Sequence, residues 1–193
     1  MSRRLFRAQI GSEKGKAARW YAETMLQPRV ATRAVTCNSI LNYPVASLGG
    51  NNPQRIDILH EYFIPPARFG EFLSACRDLI PASKQDLLNI TLRFVDADPI
   101  SVLNFAPEPR IAAVLLFVQG VNDKDDRAMQ ALTQSLIDRV LAVGGSYYLP
   151  YRLHARPEQM RAAYPRIAEF ITRKRHYDPQ LRFRNLMWGK YFV

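Results

Sequence analysis

Four polar side chains in two segments of the chain have the types and spacing of a ligand-binding surface. Asn89, Thr91 and Arg93 occupy alternate positions of one segment, and Glu61 lies in an apolar segment upstream. Alternation of this kind places side chains on one face of a β-strand. There a carboxylate can accept a hydrogen bond from a substrate hydroxyl, and a guanidinium can stabilise charge on a substrate oxygen. Two interpretations are open: a solvated face, which antiparallel sheets commonly have, or a ligand-facing floor with a few fixed polar groups.

Other kinds of active site are not indicated by the sequence. The three histidines, His60, His154 and His176, are far apart along the chain and lack the spacing of metal ligands. Cys37 and Cys76 are too few for a cysteine-rich metal site or a disulfide scaffold. No glycine-rich loop of either common nucleotide-binding pattern is present, so nucleotide phosphates have no obvious cradle. We therefore predict no metal site and no self-contained nucleotide site.

Four β-strands are predicted to position the polar residues. They cover residues 57–64, 88–95, 111–118 and 146–149. The buried face of the second strand is predicted to consist of alternate apolar residues: Leu88, Ile90, Leu92 and Phe94. The third strand is continuously apolar, as expected of a central strand covered on both faces. Four of its apolar side chains would lie on the polar face: Ala112, Val114, Leu116 and Val118. They would be exposed to water unless a ligand covered them, and this favours the ligand-facing floor.

Two long amphipathic helices are predicted between these strands. The first begins at the pair Pro65-Pro66 and is stopped by Pro81, and the second ends at the pair Gly144-Gly145. The order strand, helix, strand, strand, helix, strand predicts an α+β fold. One antiparallel sheet of about four strands, in split βαβ order, carries both helices on one face. Two short helices, near residues 157–164 and 166–175, are predicted in a C-terminal tail.

The first 56 residues differ from the rest of the chain. A short helix is predicted at about residues 15–25, followed by a passage dense in Asn, Gly and Pro. A free-standing domain rarely begins with so long a weakly patterned connector. We therefore predict that residues 1–56 are a connector, which links residues 57–193 to a domain upstream.

Composition limits the compartment and the partners. The chain has 27 Lys and Arg against 17 Asp and Glu, a net charge of +10. Such a surface can attract nucleic acid, an anionic ligand or an acidic neighbouring domain. The sequence has no apolar run of transmembrane length and no secretory signal. A cytoplasmic location, including the periphery of a membrane, is therefore expected.

Three segments, in order, resemble the cap and C-terminal region of FAD-linked oxidases of the vanillyl-alcohol oxidase superfamily. They read ILHEYFIP at 58–65, GGSYYLPYRLH at 144–154, and AYPRIAEF at 163–170 followed by YDPQLRFRN at 177–185. The nearest branches are the alditol and aldonolactone oxidases and the decaprenylphosphoryl-ribose oxidase. The resemblance extends from about residue 57 to the C-terminus, and more loosely over the connector before it.

The resemblance implies that two domains share the active site. A separate N-terminal domain would bind most of the FAD, and the uncovered face of the cap sheet would look toward the flavin ring and an alcohol substrate. The missing partner would therefore be an FAD-binding domain or a flavoprotein chain. On this basis the 193-residue chain alone is expected to bind FAD weakly or not at all and to have no turnover.

Site residues implied by the resemblance carry over position by position. Arg93, in TLRFV, sits where the relatives have an arginine near polyol or flavin-side oxygens, but Thr91 replaces their glutamate. Leu116 replaces a histidine of alditol oxidases, and Arg152 replaces a lysine near flavin and substrate. A guanidinium keeps the charge of that lysine but changes the donor geometry. The polyol chemistry of those relatives is therefore not transferred.

The resemblance and the pattern together give three groups of candidate residues. The catalytic candidates are Arg93, Arg152 and Glu61. The cofactor-side candidates, whose alternative role is to lock the tail by a turn, are Tyr177, Asp178 and Asn185. The substrate-side candidates are Asn89, Thr91 and His154.

Two other functions are compatible with the same sequence. A basic βαββαβ domain is typical of RNA-recognition modules, but such modules stack bases on strand aromatics, and Phe94 is predicted to face the core. The chain could also be a non-catalytic assembly subunit that uses the exposed sheet face as an interface.

Overall fold

The computed structural model describes residues 3–30, 36 and 52–193, and a four-stranded sheet lies at its centre. The strands are β1, Arg55–Ile64; β2, Asp86–Val95; β3, Arg110–Gly120; and β4, Ser146–Tyr147. Their spatial order is β2-β3-β1-β4, and all neighbouring strands are antiparallel. The predicted α+β fold with split βαβ order is confirmed.

The helices precede, separate and follow the strands. They are α1, Arg3–Arg7; α2, Glu13–Tyr21; α3, Gln27–Val30; α4, Phe69–Ser83; α5, Asp123–Ala142; α6, Pro157–Ala163; α7, Ile167–Tyr177; and α8, Leu186–Tyr191. A π-helical stretch, Ala22–Leu26, joins α2 to α3, and a short 3-10 turn, Pro66–Arg68, precedes α4. The predicted connector passage over residues 31–51 lies outside the described residues, apart from residue 36.

Several predicted boundaries differ from the observed ones by about two residues, and two of these differences have a clear physical cause. Pro81 does not stop α4, which continues to Ser83 and ends where Lys84 adopts a left-handed φ of 58°. A proline in the last turn removes only one intrahelical hydrogen bond, which the helix tolerates so close to its end. β4 ends at Tyr147 rather than at residue 149, because Pro150 has no N–H to donate to the ladder and the chain turns there.

The main core lies between the sheet and the two long helices. Ile58, Tyr62 and Ile64 of β1 alternate toward α4 and α5, as do neighbouring residues of β3. Phe72 of α4 and Met129 of α5 belong to the same buried cluster. The predicted packing of both long helices on one face is therefore confirmed.

The opposite sheet face, here called the polar face, is partly covered by the chain itself. Phe6 of α1 packs on Leu88 and Val118 at one end. At the other end, Phe105 of the loop between β2 and β3 stacks on Phe63 with ring centroids 4.1 Å apart. The apolar side chains of β3 on this face are thus sheltered largely without a ligand. They no longer argue for a ligand floor.

The outer strand β2 departs from the predicted burial. A bulge between Leu87 and Asn89 breaks the alternation, so Leu88 packs on the polar face with Phe6 instead of facing the helices. Leu92 and its neighbours do face the helix side, but the helices do not extend over this edge. As a result Phe94 is 82% exposed, and the prediction that it is buried is wrong.

Candidate active site

Glu61 and Arg93 stand on the polar face, on either side of the central strand β3. Glu61 pairs with Val114, which pairs on its other side with Thr91, and Arg93 pairs with the neighbouring Ala112. Because paired residues share a face of an antiparallel sheet, all three polar side chains project from the same surface. The face predicted from alternation is therefore the face on which the structure places them.

Tyr151 joins this group from the turn that follows β4. Its hydroxyl donates a hydrogen bond to Glu61 Oε2 over 3.3 Å. The pKa of Tyr151 is raised by burial and by the Glu61 carboxylate, while the Arg93 guanidinium acts in the opposite direction. Tyr151 is thus electrostatically coupled to both predicted residues. We call Glu61, Arg93 and Tyr151 the polar-face cluster.

Tyr151 is a site residue that sequence reasoning missed. Its position depends on the turn at Pro150 and on a hydrogen bond from Tyr148 N to Glu61 O, which continues the pairing of β1 by one residue. The Tyr148 and Tyr151 rings also contact each other edge to face, with centroids 4.8 Å apart. The one signal in the sequence was the concentration of tyrosines in this segment.

Asn89 and Thr91 lie at the margin of the cluster, beside the N-terminal helices. Asn89 Nδ2 donates to Thr91 Oγ1 over 3.2 Å, and Asn89 Oδ1 accepts from Arg19 Nη2 over 3.1 Å. Arg19 also donates to the carbonyl of Leu88 over 3.3 Å. The Asn89 carbonyl is therefore engaged by α2, while Thr91 is exposed.

Arg152 reaches the edge of β1 rather than the centre of the polar face. It lines a cavity of about 20 Å³ together with Glu61 and Tyr151, large enough for about one water molecule. Its Nη1 lies 3.9 Å from Asp126 Oδ1, in the first turn of α5. The structure thus brings two of the three catalytic candidates, Glu61 and Arg93, onto one face and places Arg152 beside Glu61.

His154 is buried in the core, where it joins a polar chain with His60. Thr133 Oγ1 lies 3.0 Å from His154 Nδ1 and 3.3 Å from His60 Nε2, and Tyr62 OH lies 3.1 Å from His60 Nδ1. Burial lowers the pKa of His60 to about 3, and burial also lowers the pKa of His154. Both imidazoles are therefore neutral near pH 7, and the structure gives His154 a role in the core.

The three cofactor-side candidates lie in the tail. Asp178 accepts backbone hydrogen bonds from Arg182 and Phe183, at 2.9 and 3.0 Å, and pairs with Lys174. The Lys174 ammonium and these amides lower the pKa of Asp178 to about 2. Asn185 caps α8 through a 2.9 Å bond from Trp188 N, whereas Tyr177 is exposed. Asp178 and Asn185 thus fix the tail by a turn and a helix cap.

Comparisons with known proteins do not indicate a function for this chain, so the functional argument depends on the geometry of the site. No protein-family model matches the chain, and no curated protein sequence matches it. Within residues 3–30, 36 and 52–193, no group of three or more His, Cys, Asp or Glu side chains could hold a metal ion. None of the helices in the same part of the chain has the length and apolar character needed to cross a membrane.

Proposed function

We propose that this chain forms the substrate-facing part of an FAD-dependent oxidoreductase, which oxidises a C–OH group of a sugar-like or related alcohol. The observation that supports the proposal is the polar-face cluster. The Glu61 carboxylate, the Tyr151 hydroxyl and the Arg93 guanidinium lie on one sheet face, and the centre of the opposite face packs against α4 and α5. A few fixed polar groups on a mainly apolar surface are the usual composition of a small-molecule site.

The residues of the polar face suit the flavin ring of FAD better than its pyrophosphate. The polar face offers apolar side chains, such as Leu59, beside the two charged residues Glu61 and Arg93, which suits a flavin ring and a substrate hydroxyl. The sequence contains no glycine-rich loop for the pyrophosphate. We therefore propose that the FAD phosphates are held mainly by residues outside this chain.

Each residue of the cluster has a distinct task in this proposal. A bound flavin would supply the hydride acceptor for the carbinol carbon. Glu61 would accept the hydrogen bond of the substrate hydroxyl and take its proton, as Tyr151 already donates to the same carboxylate. Arg93 would stabilise the negative charge that develops on the substrate oxygen, and Arg152 would lie at the edge of the site.

A spectroscopic experiment tests the proposal. The tagged chain is purified from its own host at moderate salt, and its fractions are examined for the visible absorption bands of flavin. We expect these bands only in fractions that hold a second polypeptide, and we expect them to bleach when an alcohol substrate is added without oxygen. Stoichiometric flavin on the chain alone would contradict the proposed sharing of the cofactor. A stable complex without flavin would contradict the proposed function.

A non-catalytic assembly subunit is the second candidate. It is favoured by the exposed apolar side chains Ile90, Leu92 and Phe94 of β2, whose outer edge pairs with no strand of the part of the chain that the structure describes. A stable flavoprotein complex whose turnover is insensitive to substitution of Glu61 and Arg93 would support this candidate instead.

An RNA-binding function has less support from the geometry. Base stacking needs exposed aromatic rings on the open sheet face. Phe63 is the aromatic residue of β1 on that face, and it is buried under Phe105. Phe94 of β2 is exposed but faces the helix side.

A further inference from the structure

A second cavity, separate from the polar-face cluster, lies at the end of the sheet where β3 begins. Its volume is about 300 Å³, at the small end of the range for ligand pockets. The loop between β2 and β3, the turn after α5 and the junction of α6 with α7 surround it. Its lining includes Asn104, Arg110, Gly144, Ala163 and Arg166.

Arg110 is the unusual residue of this cavity, because it is a buried charge with little compensation. The residue is only 5% exposed, and its Nε and Nη1 atoms have no hydrogen-bond partner among the described residues. Nη2 lies 3.1 Å from Glu108 Oε1, but the Glu108 side chain is itself 64% exposed. Burial accordingly lowers the pKa of Arg110. A buried guanidinium normally has its donors satisfied, because an unsatisfied buried donor costs free energy.

The rest of the lining adds positive charge and apolar surface. Arg166 closes one wall, donating to the Ser101 carbonyl over 3.2 Å while pairing with Glu169. Gly144 has a φ of +74°, so the turn after α5 contributes backbone without a side chain. Leu141 and Ala163 are apolar. The cavity therefore suits a small molecule that combines an anionic group with a short apolar part.

We propose that this cavity binds a small oxyanion-bearing ligand, a carboxylate or a phosphate, through the Arg110 guanidinium. An oxyanion would accept hydrogen bonds from the guanidinium donors that now lack partners, and charge-assisted bonds of this kind are strong. Glu108 competes for the same guanidinium from the solvent side. The proposal does not depend on the function proposed for the polar face.

Thermal unfolding and calorimetric titration of the full chain test the proposal. The probes are inorganic phosphate and the acetate-to-butyrate series, each compared with chloride at equal ionic strength. We expect a saturable rise in Tm and a measurable binding isotherm for one or both anion classes. Phosphate alone would identify a phosphate site, and affinity that increases with chain length would identify a carboxylate site.

Four variants assign the binding to this cavity. Arg110→Met should abolish it, and Arg110→Lys should weaken it about tenfold, because a lysine keeps the charge but loses the planar donors. Glu108→Gln removes the competing carboxylate at an exposed position, so it should tighten binding severalfold even if Arg110→Met fails to fold. The exposed Arg77→Met is the matched control and should change nothing. Equal effects of chloride, absence of binding by both anion classes, or affinity unchanged by Glu108→Gln and Arg110→Lys would overturn the proposal.

Discussion

The Tyr151 hydroxyl donates to the Glu61 carboxylate from a turn that lies 90 residues further along the chain. Together with the hydrogen bond from Tyr148 N to Glu61 O, this bond links the turn after β4 to the polar face. A carboxylate has about four acceptor positions, so Glu61 can accept a hydrogen bond from a second donor as well. The Tyr151–Glu61 bond thus has a structural role, and the Glu61 carboxylate can still accept a hydrogen bond from the proposed substrate.

The first prediction concerns the titration of Tyr151. Burial and Glu61 raise the pKa of Tyr151, and Arg93 opposes them. Glu61→Gln should therefore lower this pKa, and Arg93→Met should raise it further. Carbon-13 NMR of labelled tyrosine rings measures both changes, and Arg77→Met is the control. An unchanged Tyr151 pKa in both variants would show that the three side chains do not interact in solution.

The second prediction concerns catalysis and depends on the proposed function. In the assembled oxidoreductase, Arg93→Ala should lower kcat/KM by about tenfold or more, which corresponds to about 1.4 kcal/mol of transition-state stabilisation. The matched variant Arg77→Ala removes the same charge from α4, where the side chain is exposed, and should retain activity. Normal turnover in Arg93→Ala would remove Arg93 from the site.

Sequence patterns could predict the fold and the residues of the polar face, for a physical reason. The two-residue period of a strand fixes which side chains of that strand share a face, so it groups Thr91 with Arg93; Glu61 joins them because one face of the sheet is expected to be covered by the helices. The period does not say what covers a face. The cover supplied by Phe6 and Phe105, and the bare edge at Phe94, depend on long-range packing.

Contacts between residues that are far apart in the sequence could not be predicted from the pattern either. His60 and His154 are 94 positions apart and are bridged by Thr133, so their spacing in the sequence does not indicate a shared chain of hydrogen bonds. Tyr151 reaches Glu61 for the same kind of reason, through a turn whose direction follows from Pro150. In the tail, Asp178 and Asn185 bond within residues 177–185 and to the neighbouring residues Lys174 and Trp188.

The third prediction tests how firmly the N-terminal helices pack on the sheet. Phe6 is buried against Leu88 and Val118, so Phe6→Ala should cost about 3 kcal/mol of local stability. Hydrogen exchange should accelerate at backbone amides of α2, beginning with Gly15 and Lys16. Trp20→Ala, at a largely exposed aromatic position, should have little effect. Equal exchange rates in both variants would mean that Phe6 does not anchor this segment.

The fourth prediction concerns Asp178 and the tail. Because its pKa is lowered by Lys174 and the two amides, Asp178 stabilises the fold while it is ionised, above its ordinary pKa near 4. Asp178→Ala should lower Tm at pH 7 and accelerate exchange at the Arg182 and Phe183 amides. The difference in Tm between the two proteins should shrink as the pH falls toward 2. A constant difference over that range would argue against an ionised Asp178 as the cause.

The fifth prediction concerns acid stability and the buried histidines. The folded-state pKa of His60 is lowered to about 3 from an ordinary value of 6.5, so the unfolded chain takes up a proton that the folded chain refuses. The free energy of unfolding is therefore not reduced by His60 above about pH 6.5, and it decreases as the pH falls below that value. Between pH 7 and pH 5, His60 alone should lower the free energy of unfolding by about 2 kcal/mol, and His154 should act in the same direction.

Urea unfolding at the two pH values measures this loss, and His60→Gln separates it from the titration of carboxylates. The variant is expected to be less stable at pH 7, since its amide fits the Tyr62 and Thr133 hydroxyls less well than the imidazole does. Its stability should nevertheless fall less between pH 7 and pH 5 than that of the original protein. His176→Gln, at an exposed position, should retain the original dependence. The same loss in all three proteins would mean that His60 takes up its proton without unfolding, and hence that the chain from Tyr62 to His154 opens to solvent.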